Sequence, residues 1–364
     1  MPRIRLALTA VALGALGLTA CGSSTPATAP ATRPDQGPDA PADLPGVSVI
    51  ADDASGLVSP WGLATLPDGS ALVSERDTGR IVRVGTDGSS TEVTRIDEAA
   101  PDGEGGLLGI TLDPTATWLY AYVTTASDNR VIRMPINDPA AEPEAILTGI
   151  PKAGIHNGGR IAFGPDGMLY IATGDAAQPD LAQDPDSLAG KILRVDAAGA
   201  APSSNPLPGS PVWSLGHRNV QGLAFDSAGR LWATEFGAKD ADELNLIVPG
   251  SNYGWPFVEG TGQDPAYTNP QAQWSPTSLA SPSGLAIVDD IAYVASLRGE
   301  VLWQVPLVGD RAATPVALDL GDLGRLRTVE ALPDGSLWLM TSNTDGRGEP
   351  GAADDRLIRL EIAA

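Results

Sequence analysis

One short pattern recurs along this chain and restricts its fold more than any other feature. It is an apolar run, a turn rich in Pro, Asp and Gly, and a second run in which β-branched or aromatic residues alternate with others. Copies begin at Trp61 (WGLATLPDGSALVSE), Gly106 (GLLGITLDPTATWLYAYVT), Gly158 (GGRIAFGPDGMLYIATGD), Gln221 (QGLAFDSAGRLWATEFG), Ser283 (SGLAIVDDIAYVASLRG) and Arg327 (RTVEALPDGSLWLMTSN). They lie roughly 45–60 residues apart, the spacing of propeller blades. Between them stand further strand-like runs, GRIVRVGTDG, RVIRMPIND, GKILRVDAAG, DELNLIVPG, EVLWQVPLVG and DRLIRLEIA, and long helical patterns are absent. The pattern predicts an all-β protein, a six-bladed β-propeller. A β-sandwich of this length would leave six copies unexplained.

The N-terminus divides the chain further. Arg3 and Arg5 precede an apolar run and then Leu18-Thr19-Ala20-Cys21, which resembles a bacterial lipobox. Residues 1–20 are read as a lipoprotein signal peptide, too short to serve as a spanning helix, with Cys21 as the lipidation site. Cys21 is the only cysteine, so no intrachain disulfide can form. Residues 21–43, rich in Pro, Ala and Thr, are expected to be a disordered tether. The propeller domain is expected over residues 44–364. The protein is then exported and lipid-anchored at the outer side of the bacterial membrane, which it touches only through that lipid.

The net charge of -22 and pI near 4.3 exclude nucleic acid and an anionic membrane surface as partners, because no field would draw them in. Most of the carboxylates serve solubility.

Hairpin geometry then sorts residues by face. The segment entering the first strand and the segment leaving the second lie on one side of the propeller, and the Pro-Asp-Gly turns lie on the other. The entering segments hold Gly103-Glu104, Ile155-His156, His217-Arg218-Asn219, Arg325 and Arg327. The leaving segments hold Gly174-Asp175, Glu235-Phe236-Gly237-Ala238 and Ser296-Leu297-Arg298. Both histidines of the chain and several arginines therefore meet at one mouth of an acidic protein. No HExxH, CxxC or Ser-His-Asp pattern accompanies them. Three chemistries remain: a lone general base, a cation cluster suited to a polycarboxylate, and oxygen ligands suited to calcium. A single histidine before a glycine turn also suits a structural donor, and Arg325 and Arg327 also suit ordinary edge-strand charges.

The segments HNGGRIAFGPDGMLYIATGD, SLGHRNVQGLAFD and DELNLIVPGSNYGWP, with the RLR before the last repeat, resemble the soluble PQQ-dependent glucose dehydrogenase and aldose sugar dehydrogenase family. The resemblance covers nearly the whole globular part in order. It implies a six-bladed propeller carrying pyrroloquinoline quinone (PQQ) and calcium on one face. The implied reaction oxidises an aldose at its anomeric carbon to the lactone, with hydride passing to the quinone and electrons to an external acceptor.

By position, the resemblance makes His156 the catalytic base and Asp175 a substrate-side acid. Arg218 and Asn219 match quinone contacts, and Arg325 and Arg327 match a pair facing the cofactor carboxylates. Arg298 stands where a relative has Lys, and Glu104 where the family usually has Gln. The carbonyls of Gly237 and Ala238 match the ligands of the catalytic calcium, with Ala238 where Pro is frequent. Glu243 and Tyr253 match a second, structural calcium site. Ile155 stands where the glucose enzyme has an acid. His217 reads as an orienting or packing residue. Tyr253, Gly254 and Trp255 are also compatible with a plain core turn.

Two other functions fit the fold. A calcium-dependent propeller lactonase would need a ring of acids at the channel, for which Glu75, Glu104, Asp175 and Glu235 are the candidates; it leaves the arginines unexplained. A non-enzymatic binding module would have no use for His156, Arg218, Asn219, Arg325 and Arg327 together.

Overall fold

A computed structural model describes residues 38–41 and 43–363 of the chain. The signal segment, Cys21 and most of the tether fall outside the described residues. The remainder forms six antiparallel sheets, the predicted propeller.

Each repeat supplies the inner two strands of one blade. The innermost strands are Pro60–Thr65, Leu107–Leu112, Ile161–Phe163, Val220–Phe225, Pro282–Val288 and Leu326–Ala331 in blades 1 to 6. Their partners, such as Ala71–Glu75 and Leu231–Glu235, are buried throughout. This suits their β-branched and apolar content, because a blade's inner strands are covered on both faces. The interspersed runs read from the sequence form third strands, for example Arg80–Val84 and Asp242–Ile247.

Fourth strands were not legible as a repeat, because they share no turn motif and face solvent more. Ser90–Arg95 and Glu144–Ile150 are largely exposed or half-buried. Blade 6 takes its fourth strand from the other end of the chain. Val47–Ala54 pairs antiparallel with Leu357–Ile362, from Val47 opposite Ile362 to Ala54 opposite Leu357. The ring is closed by hydrogen bonds between the two ends of the domain.

The core is likewise circular. Six apolar clusters occupy the six seams between neighbouring blades. Tyr122, Ile150, Leu169 and Leu193 fill the seam of blades 2 and 3; Leu63, Val73, Met340 and Leu357 fill that of blades 6 and 1. Each blade is thus held by apolar burial on two sides rather than by one central core.

Near the mouth, the inner pairing slips in five of the blades: between Pro60 and Leu63, Leu107 and Ile110, Val220 and Gly222, Pro282 and Leu285, and Leu326 and Thr328. Such irregularities re-aim side chains at strand ends beside a site. Blade 3 pairs without a slip, over three residues only. There the segment carrying His156 does the re-aiming.

Candidate active site

His156 is built by the loop that enters blade 3. Asn157 pins that loop: its side chain donates to Ala153 O at 2.7 Å and accepts from Ala153 N at 3.1 Å and Asn129 Nδ2 at 3.0 Å. Tyr122 Oη donates to Asn157 O at 2.8 Å. His156 itself sits in the left-handed region at φ 58°, uncommon outside glycine. Its main-chain N–H donates to Glu104 Oε2 at 2.9 Å. The glycines that follow are required by space. A Cβ on Gly158 would lie 2.5 Å from Thr173 C, and one on Gly174 would overlap His156 O. Strand ends of blade 3 therefore approach backbone to backbone.

Asp175 closes on that imidazole from behind. His156 Nδ1 lies 2.7 Å from Asp175 Oδ1, and the carboxylate is fully buried. Oδ1 also accepts Ala177 N–H at 2.8 Å, and Oδ2 accepts Trp255 Nε1–H at 2.8 Å. A carboxylate accepts, so this geometry suits a proton on Nδ1, and in the neutral ring the lone pair then belongs to Nε2. Asp175, which the resemblance makes a substrate-side acid, is buried here with its oxygens bonded to His156, Ala177 and Trp255. Ile155 is 41% exposed and contributes no acid beside His156.

The arginines gather as the hairpin geometry requires. Arg218 follows His217 into blade 4, where Nη1 donates to Phe236 O at 3.1 Å and Gly237 O at 2.7 Å. Among the described residues no carboxylate forms an ion pair with its guanidinium. Arg325 Nη2 and Arg327 Nη2 share Asp345 Oδ2 at 3.0 and 3.6 Å. Arg327 Nη1 also donates to Gln221 Oε1 at 2.8 Å. Burial would raise the Asp345 carboxyl, but the charges of Arg327 and Arg325 outweigh it and hold it below the ordinary range. Burial pushes Arg327 down to about 9; the charges of Arg76, Arg325 and Arg160 add to this, against the pull of Asp345. Arg298 is exposed at the rim, and its guanidinium makes no hydrogen bond or ion pair with a described residue. Glu104 is paired, its Oε1 lying 3.0 Å from Arg347 Nη2.

Three buried donors in this cluster have no partner among the described residues: Arg218 Nε, Asn219 Nδ2 and Arg327 Nε. Buried polar groups are nearly always satisfied, so unmet donors among excess positive charge mark a place for an acceptor-rich anion.

The expected metal ligands occupy the blade 4 side. Gly237 O faces the Arg218 guanidinium, and Ala238 is exposed. Glu243 accepts Gly260 N–H at 2.7 Å and Asn245 Nδ2–H at 2.9 Å. Burial, then the charge of Glu235, pushes its carboxyl up to about 8. Tyr253 Oη donates to Leu246 O at 2.6 Å, and its ring stacks on His217 at 4.6 Å. His217 is buried between Ser214 Oγ and Glu235 Oε2, each at 2.8 Å. Among the described residues, no three His, Cys, Asp or Glu side chains are arranged to hold a metal.

Sequence reasoning passed over Arg76, Asp345, Arg347 and the site role of Trp255. The first three lie in segments leaving blades 1 and 6, so the face argument, applied to all six copies, reaches them. Trp255 lies in a loop outside the repeat, and no pattern announces it.

Comparison with known proteins agrees with the fold. Residues 57–359 match the family described as Glucose / Sorbosone dehydrogenase. The chain is 51% identical to the aldose sugar dehydrogenase of Streptomyces coelicolor, solved in its PQQ-bound form, over 89% of this chain and 100% of that one, with a TM-score of 0.84. It is 33% identical to quinoprotein glucose dehydrogenase B of Acinetobacter calcoaceticus over 58% of this chain and 53% of that protein. Aldose sugar dehydrogenase YliI of Escherichia coli is 29% identical over 79% of this chain and 88% of its own. Fold and likenesses define a propeller oxidoreductase of the sugar dehydrogenase kind. The chain belongs to the glucose/sorbosone dehydrogenase family.

Proposed function

We propose that this chain is a PQQ- and calcium-dependent aldose dehydrogenase, oxidising the sugar at its anomeric carbon to the lactone and passing electrons to an external acceptor. One observation carries the reading: buried donors on Arg218, Asn219 and Arg327 without a partner among the described residues accompany an imidazole fixed by a buried carboxylate. Those donors fit a polycarboxylate quinone held without a covalent link. When bound, such a quinone supplies a two-electron acceptor for hydride.

The chain's residues supply the rest. Arg327, Arg325, Arg218 and Asn219 would hold the anionic cofactor, with Arg298 reaching in from the rim. Asp175 holds His156 in the tautomer whose Nε2 accepts the proton of the anomeric hydroxyl. The carbonyls of Gly237 and Ala238 would face the catalytic calcium. No acidic trio stands there, so that cation would depend on carbonyls and on the cofactor's own oxygens. Glu243, with Tyr253 beside it, would serve the second calcium. Residues 1–21 support export and anchoring through lipid on Cys21; Cys21→Ser should release the protein from the membrane fraction.

The lactonase reading loses its ring. Glu75 is bonded to Arg80, Glu104 to Arg347, Asp175 to His156, and Glu235 to His217. The binding-module reading leaves the His156–Asp175 pair without a purpose.

Reconstitution tests the proposal. Full-length protein given PQQ and calcium should reduce a dye when supplied with an aldose, and PQQ should quench its tryptophan fluorescence. Absence of PQQ binding under these conditions would overturn the assignment; binding without turnover on any of a broad panel of aldoses would overturn the substrate class.

A further inference from the structure

We infer that Trp255 is a positioning residue for the proton acceptor, holding the far oxygen of Asp175 and thereby setting how strongly His156 binds a proton. The inference rests on the reading of His156 as the base.

Trp255 is itself tightly held. Its N–H donates to Gly216 O at 2.9 Å, and its carbonyl accepts Gln183 Nε2–H at 2.6 Å. Gln183 is in turn clamped to Asn252 at 2.7 and 3.1 Å. The Arg218 guanidinium lies 5.3 Å from the indole centroid. The loop between the third and fourth strands of blade 4, Asp242–Ile247 and Ala272–Trp274, thus reaches back to blade 3 and delivers one N–H to a buried carboxylate.

The division of labour on Asp175 makes that N–H consequential. Oδ1 serves His156 and Ala177, whereas Oδ2 has Trp255 Nε1–H as its one donor among the described residues. Among the described residues no Arg or Lys pairs with this carboxylate. A neutral donor on Oδ2 draws charge from the acid without cancelling it. The imidazolium form of His156 is stabilised by whatever charge remains. Removing the donor leaves a more basic carboxylate and a His156 that holds its proton to higher pH, away from its task as acceptor.

The other charged groups facing His156 are Glu104, which accepts its main-chain N–H, Arg347 beyond Glu104, and Arg218, whose carbonyl accepts Asp175 N–H. Trp255→Phe leaves all of them in place and keeps a ring for Arg218 to cover. It deletes only the donor.

The chain's two histidines make the test direct. Full-length apoprotein labelled with 15N-histidine is titrated by NMR, with His156→Gln assigning the signals. In Trp255→Phe the His156 midpoint should rise by about half to one pH unit, the worth of one hydrogen bond, while buried His217 reports an intact fold. Should Trp255→Phe fail to fold, wild-type protein grown with a ring-fluorinated tryptophan, a stronger N–H donor, should move the midpoint the other way. A His156 midpoint unmoved by either change overturns the inference. In PQQ-loaded enzyme, the acid limb of kcat should move with the NMR midpoint. A shifted midpoint in protein that oxidises no aldose would uphold the Trp255 coupling and overturn the functional reading instead.

Discussion

Arg347 Nη2 stands 3.0 Å from Glu104 Oε1, joining the segment that enters blade 2 to the segment that leaves blade 6. The pair offsets the negative charge of Glu104. Arg347 is more than half exposed, so the contact contributes under about 1 kcal/mol to folding. Its effect should appear in binding. Glu104→Gln keeps an acceptor for the His156 N–H, removes the negative charge and frees Arg347. PQQ affinity, read by fluorescence titration, should rise several-fold with no change in thermal midpoint; an unchanged or weaker affinity would show that Glu104 does not face the anion.

His156→Gln should bind PQQ as the wild type does and lose turnover by a factor on the order of 10²–10⁴, the contribution of one positioned base. Single-turnover quinone reduction at saturating aldose measures this. Equal rates in the two proteins would make His156 a structural residue.

Why some of this was legible and some not follows from what repeats. The inner hairpins announce themselves because strand, turn and strand are all local, and their faces follow from chain direction. Chain direction therefore puts His156, Arg218, Arg325 and Arg327 on one face of the blades. Val47–Ala54 belongs to blade 6 only through a partner 300 residues away, and nothing in VSVIADDA names that partner. Asp175 was assigned to the mouth, yet its burial depends on Trp255 arriving from a loop outside the repeat. Pairings such as Arg327 with Asp345 are legible as a shared face and illegible as a distance.

Arg327 is buried with its Nε unmet, whereas Arg298 is exposed. Arg327→Ala should therefore weaken PQQ binding by about 1.5–3 kcal/mol, a charge-assisted bond lost in a buried setting. Arg298→Ala should cost about 1 kcal/mol or less, and its effect should vanish at high salt, since exposed charges are screened. Equal losses in the two variants, at low and high salt alike, would contradict the difference in burial.

Chelation should abolish dye-linked activity, and calcium should restore it. The Gly237 and Ala238 carbonyls offer a cation too few ligands by themselves, so calcium retention should depend on PQQ. Equilibrium dialysis of apoprotein with and without PQQ measures this. Full activity with PQQ alone after exhaustive chelation would remove the metal from the mechanism.

The strand Val47–Ala54 gives the ring a direction in time. Loop closure cost grows only with the logarithm of length, so joining Val47 to Ile362 adds little penalty at equilibrium. Its weight falls on the order of events. Blades 1 to 5 can assemble as successive segments of the chain are released to fold, but the first strand waits, unpaired, until the last one is available. During that interval it is an open edge that any extended chain can join. A nascent molecule therefore passes through a stage in which its two ends are its main hazard, and the same pairing ends the stage by tying them together.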